Sequence, residues 1–139
     1  MNEKKDTRFA ARSALIMMRD HAKARLKAYA TRHRMRETGW HFMIDSSIVR
    51  GKDGDHVSES GLVLLRCTGP RYFCVRVTVD SNSLSTPEAT TEMPILDVDA
   101  ERVTHLIFSR DGWTQTKAIK KQSDKIVENA KPVGDEIDS

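Results

Sequence analysis

LVLLRCTGPRYFCVRVTV, residues 62–79, reads as two strands around a tight turn. Leu62–Cys67 is apolar at nearly every position, the pattern of a strand covered on both faces and therefore central in its sheet. Thr68-Gly69-Pro70-Arg71 supplies the turn, with Gly tolerant of unusual backbone angles and Pro fixed in one. Beyond it, Tyr72–Asp80 alternates: Phe73, Val75, Val77 and Val79 point one way, and Tyr72, Cys74, Arg76 and Thr78 the other.

The same period of two appears upstream, where Trp40, Phe42 and Ile44 alternate with His41, Met43 and Asp45. Lys52-Asp53-Gly54-Asp55 is a hairpin signal between that strand and the next. Downstream, residues 81–92 are rich in Ser, Thr and Pro and read as the longest loop. Residues 99–108 are open between helix and strand; the β-branched and aromatic run from Arg102 to Phe108 favours strand.

Before the strands, residues 7–36 predict one long helix. Thr7 suits the N-cap, no Gly or Pro intervenes before Gly39, and seven alanines favour helix. Leu15, Met18, Ala22, Leu26 and Tyr29 recur at three- and four-residue steps, which puts them on one face. Gly39 suits the helix stop. After the strands, Ile119, Gln122, Ile126 and Ala130 predict a second helix over 113–130, stopped by Lys131-Pro132. The expected fold is therefore α+β: a long N-terminal helix, a small antiparallel meander of three to four strands, and a C-terminal helix, with both helices on one face of the sheet.

The chain has 139 residues, within the ~100–150 of common domains, so a single domain 1–139 is expected. It runs from the basic helix 7–36 through a strand-rich core 40–109 and the helix 113–130 to a frayed acidic tail at 131–139. No uncharged apolar stretch is long enough to span a membrane, which excludes integral membrane association. The charged start (Asn2, Glu3, Lys4, Lys5, Asp6) lacks the apolar stretch of a secretory leader, so a cytoplasmic location is expected.

Charge is the most informative feature. Residues 1–36 hold eleven Lys/Arg against three acids, a balance of +8, and the rest of the chain carries −5 within the total of +3. A positive field concentrated on one element attracts polyanions or an acidic protein face, unless it merely neutralises the chain's own acids. Arg8, Arg12, Arg19, Lys23, Lys27 and Arg34 form a stripe beside the apolar seam, and Arg32 and Arg36 add to the cluster near the helix end. These eight are the candidate nucleic-acid-binding residues, since cations in a row bind phosphates without reading sequence.

Signals for other chemistry are weak. The five histidines show no metal-binding spacing, and no nucleophile elbow or phosphate-cradling glycine loop occurs. Asp97, Asp99 and Glu101 lie close together, but an acid cluster at a turn is ordinarily solvated. Cys67 and Cys74 would face each other across the hairpin, which allows a disulfide on oxidation, although two reduced thiols are favoured. Neither a metal, a cofactor nor an enzymatic reaction is indicated.

The residues point first to a non-enzymatic nucleic-acid-binding accessory or regulatory module that uses the basic amphipathic helix. The alternative is a protein-binding inhibitor, adaptor or assembly factor. It would use the helix seam of Leu15, Met18, Leu26 and Tyr29 together with the 81–92 loop, against an acidic partner. The same seam would also serve a homodimer.

Overall fold

The computed structural model describes residues 3–49, 56–80, 93–118 and 121–134. In chain order these form α1 (Glu3–Arg32), β1 (Glu37–Val49), β2 (His56–Cys67), β3 (Arg71–Asp80) and β4 (Leu96–Val98). A 3-10 turn at Ala100–Arg102, β5 (Thr114–Lys117), α2 (Gln122–Val127) and β6 (Lys131–Pro132) follow. The architecture is α+β, with a sheet of six strands in the order β5-β1-β2-β3-β4-β6.

The expected hairpin forms, with Leu65 opposite Phe73 and Cys67 opposite Arg71. β2 is central, as its apolar run implies. Antiparallel pairing joins β1, β2, β3, β4 and β6, whereas β5 lies parallel to β1, with His41 opposite Thr114 and Ile44 opposite Lys117. The sheet is thus larger than the expected three to four strands, and mixed rather than antiparallel. The extra strands are two to four residues long and lack an amphipathic period of their own. What makes them strands is the hydrogen bonding offered by β1 to β5, by β3 to β4, and by β4 in turn to β6.

Each face of the sheet has its own core. On one face α1 lies chiefly against β2 and β3. Leu15, Met18, Ala22, Leu26 and Tyr29 meet Trp40, Phe42, Val63, Leu65, Phe73, Val75 and Val77 there. On the other face Met43, Leu62, Leu64, Tyr72 and Cys74 meet Val98, Val103, Ala118 and Ile126. The two helices therefore cover opposite faces, and not one face as the sequence suggests. Leu106 and Phe108 join the second core as partly buried residues. Among the described residues no helix is long and apolar enough to cross a membrane.

α1 starts four residues before Thr7 and ends before Gly39. Its stop is Arg34, in the left-handed region at φ 58°. The Arg34 amide donates to the Thr31 carbonyl (3.2 Å) and the Met35 amide to that of Ala30 (2.9 Å), the paired bonds of a Schellman motif. Gly39 lies inside β1 instead.

The second helix contracts to Gln122–Val127, because residues 114–117 extend along β1. Arg76 holds this helix to the sheet, paired with Asp124 and donating to Ser123 (3.3 Å). Residues 99–108 form no strand. Asp99 caps the 3-10 turn by accepting from the Glu101 amide (3.1 Å), and only Ser109 then bridges to Trp40. Lys131-Pro132, expected as the start of the frayed tail, is a short edge strand beside β4. The Asp53-Gly54 turn, the 81–92 loop and tail residues 135–139 lie outside the described residues.

Candidate nucleic-acid interface

At 100° per residue, α1 sends its seam inward and carries Arg12, Arg19, Lys23 and Lys27 along one flank. Because α1 runs antiparallel to β1, this flank reaches Ser46, Phe42, Trp40 and Glu37 in turn.

The cations on it have different fates. Arg12 is held by Glu59 through two bonds, Nε to Oε2 at 2.7 Å and Nη2 to Oε1 at 3.0 Å. The Glu59 side chain is only 6% exposed, and Ser46 Oγ adds a third bond to it at 3.2 Å. This hydrogen-bonded ion pair raises the Arg12 pKa. Arg19 pairs with its neighbour Asp20 at 2.8 Å and lies over the Trp113 ring at 4.9 Å from the centroid. Lys23 lies over Trp113 and Trp40, at 5.0 Å from each. Lys27 is exposed and 3.9 Å from Glu37, also exposed, a separation at which solvent screens most of the attraction.

Arg32, Arg34 and Arg36 are all exposed near the end of the helix. Among the described residues, no acidic partner is seen for the Arg34 or Arg36 side chain. The side chain of Arg8 lies outside the described residues.

The seam nominated for a partner is not accessible. Leu15, Met18 and Leu26 are fully buried and Tyr29 is 7% exposed, all four against the sheet of the same chain. Burying that stripe is what holds a helix this basic on the fold, so neither a foreign helix nor a second copy can use it.

The remaining polar clusters have structural roles. Asp97 pairs with Arg71 at 3.1 Å and Asp99 caps a turn, which separates the acid trio. No group of three or more metal-ligating side chains is brought together among the described residues. Cys67 and Cys74 sit in different cores, on opposite faces of the hairpin, so they do not face each other and the register rules out a cross-strand disulfide. Both are free thiols, and burial pushes Cys67 up to about 11 and Cys74 up to about 12, so neither is a ready thiolate.

His41 is fully buried. Its Nδ1 is 2.7 Å from the Ile107 carbonyl, so Nδ1 carries the proton and Nε2 accepts from the Thr116 hydroxyl at 2.9 Å. The ring thus ties β1 to β5 and to the irregular segment after the 3-10 turn. Burial lowers its pKa, and the Ile107 bond opposes that only in part. A base with a lowered folded pKa stays neutral in the fold and takes up its proton more readily on unfolding. Stability should therefore fall as pH drops through ~6.5 toward the lowered value. Urea midpoints at about pH 7.5 and about pH 5.5 should show this fall, and His41→Gln should flatten it. An equal fall in the variant would assign the pH dependence to other groups.

Trp113 was not among the residues nominated from sequence. Its half-buried ring joins Arg19 and Lys23 to the face formed by Trp40 and Phe42, at centroid distances of 5.6 and 5.8 Å. Only the parallel pairing of β5 brings it there. No protein-family model, curated protein or solved structure matches the chain.

Proposed function

We propose that the chain is an accessory nucleic-acid-binding module whose phosphate contacts are made by Lys27, Arg34 and Arg36, flanked by Lys23 and Arg19. One observation carries this reading. At the C-terminal end of α1, exposed cations crowd together and outnumber the one exposed acid beside them, Glu37, while three other acids are paired elsewhere: Glu59 with Arg12, Asp97 with Arg71, and Asp124 with Arg76. Arg34 adds support, since it occupies a left-handed position that glycine would fill with less strain. Arg12, one of the eight nominated cations, is set aside for its carboxylate and contributes less.

The contacts are to the backbone, so affinity should depend on salt more than on sequence. With about four phosphates neutralised, affinity for a short duplex should fall about 100-fold between ~50 and ~200 mM salt. The double variant Arg34→Glu/Arg36→Glu should bind at least about tenfold more weakly, with an unchanged melting temperature. Fluorescence anisotropy with the full chain measures both. Binding that ignores salt, or no binding at low salt, would refute the proposal.

A further inference from the structure

Where the flank of α1 passes the edge strand, a cleft of about 310 Å³ opens, lined by Arg12, Ile44, Ser46, Gln115, Thr116 and Lys117. Parallel pairing sets Gln115 beside Phe42 and Lys117 beside Ile44, so both side chains point to the α1 side of the sheet. Trp113 precedes them on the same face. The cleft thus has an apolar floor in Ile44 and amide and hydroxyl groups on its walls. Arg12 stands at one side and exposed Lys117 at the other.

The charges at this cleft specify what it suits. Arg12 is matched by Glu59, which fixes the guanidinium in position and leaves the formal positive surplus at Lys117. A single positive surplus beside the amide donor of Gln115 suits a group with one negative charge, not a dianion. Each phosphodiester unit of a nucleic-acid strand is such a group. Along α1 the row continues from Arg12 through Arg19, which is paired with Asp20, to Lys23, about 16 Å at 1.5 Å per residue, past the partly exposed Trp113 ring. A cationic track with an aromatic beside it is the arrangement that holds a single strand, because bases stack while the backbone follows the charge. In a duplex the bases are already paired and stacked on one another, so they do not offer a face to the Trp113 ring.

We infer that this cleft is a phosphodiester subsite for single-stranded nucleic acid, held by the Lys117 ammonium and the Gln115 amide, with the Glu59-matched Arg12 at its side. The inference rests on the nucleic-acid reading above and adds to it a strand type and a second contact region, remote from Arg34 and Arg36.

The test compares a short oligothymidylate with a duplex of equal length, using the full chain. Lys117→Ala should weaken oligothymidylate binding about tenfold at moderate salt and lower the salt slope by about one, while leaving duplex affinity within about twofold. Gln115→Ala should weaken the same complex by a smaller factor with no change of slope. Both positions are exposed on an edge strand, so the variants retain the fold. If both variants bind oligothymidylate like the parent while Arg34→Glu/Arg36→Glu binds weakly, the cleft is not a subsite and the helix-end reading stands. Equal weakening toward duplex and single strand would overturn the strand preference. An intact chain that binds neither probe would overturn both proposals.

Discussion

Leu26→Asp should abolish the cooperative unfolding transition of this chain, although Leu26 lies on the most charged element of the sequence. Leu26 is fully buried against the sheet. Truncating such a leucine costs about 3–5 kcal/mol in transfer and cavity terms. A carboxylate without a partner in the same place costs several more, or forces the acid to take up a proton. The sum approaches the ~5–15 kcal/mol that holds a domain together. The neighbouring Lys27 is 53% exposed on its side chain, so Lys27→Asp should cost only about 1 kcal/mol, from its place beside Glu37 and the lower helix propensity of Asp. Urea unfolding followed by far-UV circular dichroism distinguishes the two. A Leu26→Asp chain with a near-parental midpoint would mean that α1 is not docked as described. The comparison also bears on function, since loss of a partner by a Leu26 variant would report unfolding and not a lost interface.

Gly61→Ala should destabilise by about 2–3 kcal/mol, and Gly61→Val by more. Glycine inside a strand ordinarily costs about 0.5–1 kcal/mol relative to alanine, so an open site would give the opposite sign. Gly61 is not open. A Cβ there would lie 2.4 Å from Phe42 Cε1 and 2.7 Å from Phe42 Cζ, with Val77 Cγ2 at 3.4 Å. The Phe42 ring lies across the glycine backbone and is itself enclosed by Trp113 and by Arg19. It cannot swing aside without disturbing the contact between β1 and β5. Shortening the ring should therefore relieve the clash: Phe42→Leu combined with Gly61→Ala should be less destabilising than the sum of the single changes. A neutral or stabilising Gly61→Ala would show that the ring lies elsewhere.

Much of this arrangement is readable from the residues. The hairpin of β2 and β3, the alternation in Trp40–Asp45 and the seam of α1 all follow from local periods, and the structure keeps each of them. What escapes is whatever depends on distant pairing. Thr114–Lys117 has β-branched Thr at alternating positions, yet it becomes a strand only because β1 offers an open edge about seventy positions upstream. Arg102–Phe108 has stronger β composition and stays irregular, because that edge is already occupied by β5 apart from the Trp40–Ser109 bridge. The candidate site divides in the same way. The cations of α1 were evident from charge alone. That Arg12 is committed to Glu59 depends on a contact 47 residues away in sequence, and its place in a cleft with Lys117 on the more distant pairing of β5 with β1. Gly39 drew the helix stop five positions too late because the left-handed residue that ends α1 is an arginine.

The pairing of β5 with β1 has a consequence for how the protein is made. Until residues 114–118 have emerged from the ribosome, β1 presents an uncovered edge of alternating aromatic and aliphatic side chains, the kind of surface that recruits strands from other chains. Between the emergence of β1 and that of β5 the border stays exposed, and a chain cut before Thr114 would be a sticky fragment instead of a shorter version of the same fold.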